Sequence, residues 1–315
     1  MFTSYFEMEM EADRLYMRKD FHAALEILDE AIRLFPDQFM YAAFYQYLIH
    51  GQLGQFEAAF DLLKALHQKG FACPPNWLER FPGLEKLPGF SKVLAENTRL
   101  LDQAKNSGQM RYQVHLPDGY SSDRTTPLFI VLHGDGLGGD IEYQSWFWKP
   151  EVMLDQGMIV VYVQSSQVYY PGCYGWIKDY ETSKKDLQNC FDQVAKQYPI
   201  DLARVYLGGF SGGAIMSTEV ALSNALPIKG WIALCPEIKP PSFTRENLVR
   251  AKDRGLKTVF LEGEEKAWLP DEQDMLHLFD EIGFPHRLVI NIGIGHAFPE
   301  DMNTKLNAAL DFLTA

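Results

Sequence analysis

Residues 204–220 read RVYLGGFSGGAIMSTEV, and this stretch decides the fold. An apolar run at 204–208 has the pattern of a strand, the five residues GFSGG occupy 209–213, and a helical pattern follows from 214. A serine at such a sharp turn is lifted off a sheet with its hydroxyl group exposed, and flanking glycines relieve the strained backbone. The pattern predicts that Ser211 is a nucleophile.

A glycine-rich loop lies upstream of this serine. Residues 129–139 read FIVLHGDGLGG, a strand of buried type that ends in glycines. Such a loop can direct backbone N–H groups at a carbonyl oxygen. The N–H of Gly212 and one from the loop, Asp135 first and Gly136 next, are the expected oxyanion hole. The alternative is a tight turn that needs glycine for its shape alone.

His296 is the candidate general base. It lies in the stretch LVINIGIGHAFP at 288–299, where a strand runs into a loop before the last helix. The chain order of serine, acidic loop and histidine is the order of the α/β-hydrolase triad, whereas no H-x-x-x-H metal spacing occurs. We therefore expect a catalytic histidine and no metal site.

The acid that would orient His296 is expected in the loop EGEEKAWLPD at 262–271, which follows a strand. We favour Glu265. Glu264 and Asp271 in the same loop are alternatives, and so is Glu237, which follows the preceding strand. An exposed acidic loop without a catalytic role would contain the same residues.

Composition limits the class of protein. The 315 residues are 47% hydrophobic, enough for a substantial core, and the net charge of −13 opposes binding to nucleic acid or to an anionic membrane. No apolar stretch approaches a membrane span, and the first residues lack the basic segment of a signal peptide. The four cysteines have no C-x-x-C spacing, which indicates reduced thiols. We expect a cytoplasmic protein.

Residues 1–107 have helical periodicity throughout most of their length. The motif DFHAA at 20–24 recurs as QFEAA at 55–59, an offset of 35 residues (55 minus 20), close to the tetratricopeptide period of about 34. Two imperfect copies also fit an ordinary helical bundle. A turn-like stretch at 106–108 predicts a domain boundary, with a helical, tetratricopeptide-like region at 1–107 and a second domain at 108–315.

In the second domain, apolar strands alternate with amphipathic helices. This pattern predicts a mostly parallel sheet covered by helices on both faces. Its carboxyl edge would then collect Ser211, Glu265 and His296. A long loop at 164–179 contains Tyr174 and Trp176, which either form the wall of a substrate pocket or pack the loop onto the sheet.

From about residue 110 onward the chain resembles the serine esterases of the α/β-hydrolase superfamily, in particular the phospholipase/carboxylesterase-like and polyhydroxybutyrate depolymerase-like branch. The matching motifs are LHGDG at 132–136, GFSGG at 209–213 and GHAF at 295–298. The resemblance implies hydrolysis of a small-molecule carboxylic ester through an acyl-enzyme on Ser211, without a cofactor. It departs from the family at Lys266, where aspartate is usual, and it fixes no substrate.

A second hypothesis belongs to another class. The helical repeats would bind a protein partner, and the hydrolase core would be a weak or inactive scaffold. Labelling of Ser211 by a fluorophosphonate separates the two, because only an activated serine reacts quickly.

Overall fold

The computed structural model describes residue 2 and residues 4–136, 138–264 and 269–315, without the side chain of Pro75. The chain forms two compact units. The first consists of Met1–Ser107 with Tyr169–Gly172, and the second of Gly108–Val168 with Cys173–Ala315. In the described part of the chain, no helix is both long and apolar enough to cross a membrane.

The first unit is helical, and each of its first three helices packs on the next. Its helices are α1 (Tyr5–Met17), α2 (Phe21–Leu34), α3 (Phe39–Gln52), α4 (Phe56–Gln68), α5 (Pro75–Glu79) and α6 (Phe90–Ser107). The two copies of the repeated motif start α2 and α4, and each follows a residue with positive φ, Lys19 at 62° and Gly54 at 71°. This equivalence supports the predicted repeat.

A seven-stranded sheet forms the centre of the second unit, in the order β1-β3-β2-β6-β7-β8-β9. Only β1 is antiparallel to its neighbour. The strands of the sheet are β1 (Arg111–His115), β2 (Thr126–Leu132), β3 (Ile159–Gln164), β6 (Ile200–Phe210), β7 (Gly230–Leu234), β8 (Lys257–Gly263) and β9 (His286–Asn291). The short strands β4 (Val168–Tyr170) and β5 (Cys173–Tyr174) lie outside it.

Helices cover both faces of this sheet, as the alternating pattern predicts. They are α7 (Ile141–Phe147), α8 (Pro150–Leu154), α9 (Tyr180–Gln197), α10 (Gly212–Ser223), α11 (Arg245–Asp253), α12 (Pro270–Ile282) and α13 (Met302–Thr314). Along β2, Leu128 and Ile130 belong to one apolar core and Phe129 and Val131 to the other. A strand buried on both faces needs such an uninterrupted apolar sequence.

The helical stretch between residues 141 and 154 is divided in two. Helix α7 ends at Phe147 and α8 begins at Pro150. A proline has no N–H to donate and disfavours helical backbone at the residue before it, so it starts a new helix here. The division leaves Phe147 at a helix end, close to the candidate site described below.

Candidate active site

Ser211 occupies the sharp turn between β6 and α10. Its backbone has φ 53° and ψ −120°, a conformation that residues other than glycine rarely adopt. The turn is held because Ser211 donates its N–H to the carbonyl oxygen of Leu234 at 2.8 Å and accepts the N–H of Ile215 at 3.0 Å. The strained conformation predicted from the sequence is therefore present, and it is fixed on both sides by backbone hydrogen bonds.

The glycines around Ser211 are required by space. A Cβ atom added to Gly209 would lie 2.4 Å from the carbonyl carbon of Gly213, and one added to Gly213 would lie 2.4 Å from the carbonyl oxygen of His133. Both neighbours are backbone atoms that cannot move aside cheaply. Strand, turn and helix thus approach each other as closely as the chain permits.

Asp135 connects the glycine-rich loop to the residue after the serine. A Cβ atom on Gly212 would lie 2.0 Å from Oδ1 of Asp135, so the carboxylate rests directly against Gly212. The same carboxylate accepts the N–H groups of Trp176 at 2.8 Å and Ile177 at 3.3 Å. The structure therefore brings together Asp135 and Gly212, the two residues first chosen for the oxyanion hole.

The second choice for that hole, Gly136, needs correction. Its N–H is donated to the carbonyl oxygen of Tyr174 at 2.9 Å, in an isolated antiparallel bridge. A donor that is already used inside the protein cannot also hold an oxyanion at full strength. Gly136 instead fixes the shape of the loop, with φ 86°.

The expected pocket wall also needs correction. Trp176 is fully buried, donates its indole N–H to the carbonyl oxygen of His133 at 3.0 Å, and lies with its ring 4.9 Å from that imidazole. It packs its loop onto the sheet, which was the alternative reading. Tyr174 is half-buried and pairs through its backbone with Gly136, and its place in a pocket wall stays a prediction.

His133 is a residue whose role the sequence did not reveal. It is completely buried, and burial lowers its pKa to about 4, so the ring is neutral at physiological pH. Its Nε2 accepts the N–H of Ser165 at 3.2 Å, which leaves the proton on Nδ1, 2.6 Å from the carbonyl oxygen of Gly134. A neutral imidazole thus links the loops that follow β2 and β3.

His296 lies between a carboxylate and the sharp turn that contains Ser211, called the elbow below. Its Nδ1 is 3.1 Å from Oε1 of Glu237, with 29% and 33% of the two side chains exposed. The centre of its ring is 4.8 Å from that of Phe210, the residue before Ser211. Nδ1 towards an acid and the ring beside the elbow is the orientation that a triad histidine needs.

The other candidate acids contact other groups. Glu264 accepts the N–H of Gly293 at 3.0 Å, and Asp271 accepts the N–H of Lys239 at 3.1 Å. Glu265, the favoured residue, lies outside the described residues. Among the three candidate carboxylates that the structure describes, Glu237 is the one with a contact to the histidine.

Glu237 is itself held in a strained turn just after β7. Its φ is 52°, and the N–H of Ile238 reaches back to the carbonyl oxygen of Pro236 at 2.6 Å, so Glu237 is the centre of a three-residue turn. Its own N–H is donated to Oε1 of Glu272 at 3.2 Å. Such strain persists where surrounding contacts fix the conformation, and it concentrates at functional sites.

Three aromatic rings in contact with one another lie beside the histidine. Phe298 lies 4.3 Å from Phe210 and 4.1 Å from Phe147, between ring centres, and the pair with Phe147 is nearly parallel. Phe298 is buried, whereas the other two rings are half-buried. These ring contacts hold Phe298, two residues after His296, against the turn at Phe210. Little in the sequence indicates the contact with Phe147, because Phe147 is distant from Phe298 in the chain. Phe147 lies at a helix end only because a new helix starts at Pro150.

In the part of the chain that the structure describes, no group of three or more His, Cys, Asp or Glu side chains is arranged to hold a metal ion. All four cysteines are buried and outside any disulfide.

Comparison with known proteins supports this fold. A phospholipase/carboxylesterase family model matches residues 177–261, a segment that includes Ser211 and Glu237. Poly(3-hydroxyalkanoate) depolymerase C of Paucimonas lemoignei is 24% identical over 158 residues, which are 47% of this chain. The chain spans only 37% of the length of that relative.

Solved structures show the same fold. An uncharacterized protein of Bacillus cereus aligns over 99% of both chains with a TM-score of 0.55 and 21% identity. Esterase PE8 aligns over 65% of this chain and 99% of its own, with a TM-score of 0.50 and 18% identity. The first structure aligns with nearly the whole chain, and the second aligns with about the hydrolase part.

The chain thus has the fold of the α/β-hydrolases, with an all-helical region of about 100 residues before the hydrolase part. Its segment 177–261 is similar to the phospholipase/carboxylesterase family.

Proposed function

We propose that the protein is a serine esterase in which Ser211 is the nucleophile, His296 the general base and Glu237 the orienting acid. The N–H groups of Gly212 and Asp135 hold the oxyanion. The observation that carries the proposal is the 3.1 Å approach of His296 Nδ1 to Glu237, beside a serine that is held at φ 53°. Glu265, the acid favoured from the sequence, lies outside the described residues and stays the alternative third member of the triad.

The reaction follows from the two nitrogens of His296. Nδ1 faces Glu237, so the protonated Nδ1 leaves Nε2 to accept the proton of the Ser211 hydroxyl group as its oxygen attacks the ester carbonyl carbon. Negative charge moves to the carbonyl oxygen, where two backbone N–H groups stabilise it. The imidazolium then protonates the leaving alcohol. A water molecule, deprotonated by the same histidine, releases the acyl group as a carboxylic acid.

The glycine-rich loop supports the oxyanion assignment through its rigidity. The Asp135 carboxylate is anchored by two N–H groups from the following loop, and His133 ties that loop to the β2 end. Donors that are fixed before the reaction cost no reorganisation in the transition state, which is why such sites are effective. The reacting group is a carboxylic ester, and the four buried thiols agree with the cytoplasmic location expected from the sequence.

The test uses p-nitrophenyl butyrate and a fluorophosphonate label on the full-length chain. We expect wild type to hydrolyse the ester and to be labelled at Ser211, and Ser211→Ala to lose both properties. Ser217→Ala is a matched control, because the Ser217 hydroxyl group lies in α10 and donates to the carbonyl oxygen of Gly213 in the same helix at 2.8 Å. This variant is expected to keep both properties. Equal hydrolysis by wild type and Ser211→Ala would refute the proposed function.

A further inference from the structure

Two buried carboxyl groups lie beneath the candidate acid. Glu262 is the last residue but one of β8 and Glu272 is in the first turn of α12, and each residue is 1% exposed. Burial first, and then the neighbouring Glu272, raise the pKa of Glu262, so the two carboxyl groups lie close together. Ionised carboxylates only accept hydrogen bonds, so one member of this pair must carry a proton.

The surroundings decide which one. Glu272 accepts the N–H of Glu237 at 3.2 Å, which partly compensates a negative charge. Among the described residues, no donor group contacts either oxygen of Glu262, and both oxygens are inaccessible to water. A charge on Glu262 would therefore be buried and uncompensated. The proton belongs on Glu262, which donates it to Glu272.

We infer that Glu262 and Glu272 are positioning residues for the triad acid, in a chain that runs from the protonated Glu262 through the Glu272 carboxylate to the backbone N–H of Glu237. The inference rests on the proposed function, because it concerns how Glu237 is held against His296. It assigns a task to two buried carboxyl groups that touch neither the histidine nor the elbow in the contacts described above.

The strain at Glu237 explains why support is needed. A non-glycine residue at φ 52° tends to relax unless neighbouring groups hold it, and relaxation would move its carboxylate away from the 3.1 Å contact with His296. The bond from Glu237 to Glu272 acts on the backbone of that turn. Glu272 in turn is fixed by the donor on Glu262, since β8 and α12 are rigid elements.

Other titratable groups around the pair make the proton harder to remove. Burial first, and then the charge of Glu272, raise the pKa of Glu262 to about 10, and Glu237 adds to this effect. The Cys235 thiol at the end of β7 is also buried, with its pKa raised by burial and by Glu262. Asp271 of α12 is paired with Lys239 at 3.5 Å. The pair is thus protonated once at physiological pH.

Two substitutions of Glu262 in the full-length chain test the inference. Leucine has a similar volume but no donor, so Glu262→Leu is expected to lower kcat for p-nitrophenyl butyrate about tenfold or more, with KM nearly unchanged. Glutamine keeps a neutral donor, so Glu262→Gln is expected to recover most of that loss. Circular dichroism confirms that each variant is folded. A folded Glu262→Leu with wild-type kcat would overturn the inference.

The pH profile gives a second decision that does not depend on the leucine variant. As the pH rises towards 10, Glu262 in the wild type loses its proton, the pair repels, and kcat is expected to fall, whereas Glu262→Gln is expected to fall less. Equal alkaline losses in the two proteins would overturn the inference even if Glu262→Leu does not fold. Ser211→Ala is measured beside them. An active Ser211→Ala refutes the proposed function, whereas an inactive one with unaffected Glu262 variants refutes only the positioning role.

Discussion

Replacement of Glu237 by glutamine removes the charge that faces His296 while it keeps the size of the side chain. The histidine becomes positive in the transition state, so the lost interaction is that of two unit charges 3.1 Å apart. Coulomb's law gives about 1.3 kcal/mol at the dielectric constant of water and about 5 kcal/mol at an effective value of about 20. With both side chains about one-third exposed, an intermediate value of about 2.7 kcal/mol applies, which corresponds to about a hundredfold in kcat.

The assay is steady-state hydrolysis of p-nitrophenyl butyrate by the full-length chain, with Ser211→Ala as the background rate. We expect Glu237→Gln to lower kcat and to leave KM nearly unchanged, because the charge pair strengthens only in the transition state. Glu264→Gln and Asp271→Asn are matched controls. Their carboxylates accept backbone N–H groups elsewhere, so we expect losses within about threefold.

One result would refute this reasoning directly. If Glu237→Gln stays within about threefold of wild type while Glu265→Gln loses about a hundredfold, the orienting acid is Glu265 and the contact of Glu237 with His296 has no part in turnover. If neither substitution matters, the enzyme works as a pair of serine and histidine. Unchanged melting temperatures are required for either conclusion.

Three further predictions concern stability. Gly213→Ala places a Cβ atom 2.4 Å from the carbonyl oxygen of His133, so we expect a loss of about 1–3 kcal/mol in urea unfolding and weaker fluorophosphonate labelling. Glu219 is 1% exposed and accepts two hydrogen bonds from Ser242, so Glu219→Ala should lower the free energy of unfolding by about 3 kcal/mol. Glu181 is exposed, so the control Glu181→Ala should lower it by less than about 1 kcal/mol. Glu262 is protonated in the fold but ionised in the unfolded chain between about pH 4.5 and about pH 10, so stability falls with rising pH there, by at most about 1.4 kcal/mol per unit. Relative to wild type, Glu262→Gln should therefore gain stability from about pH 6 to about pH 9 in urea melts.

The fold was predictable because it depends on local pattern. The alternation of Leu128 to Leu132 between two cores needs only an uninterrupted apolar run, and such a run is visible in the sequence. The turn at Ser211 was predictable for a similar reason, since glycines on both sides permit few other structures. The family resemblance was then confirmed by the matching segment at 177–261.

The contact of Glu237 with His296 was not predictable, because it depends on side-chain direction after a strand end. Glu237 and Glu264 both follow strands of the sheet, and nothing in composition tells which loop turns inward. The deciding feature is a positive φ at a glutamate, a conformation that the residue type does not favour and that tertiary contacts impose. The misjudged Trp176 has the same origin, since an aromatic ring in a long loop fits a pocket wall and a packed core equally well by sequence.

Asp135 has two duties that cannot be separated by mutation of its side chain alone. Its backbone N–H is the proposed oxyanion donor, while its carboxylate accepts hydrogen bonds from the N–H groups of Trp176 and Ile177 on another loop. A change in that other loop therefore moves the donor without any contact to the substrate. Substitutions at residues 174–177 can therefore change kcat without a change in substrate binding. Sequence variation at these positions should correlate with kcat rather than with the choice of ester.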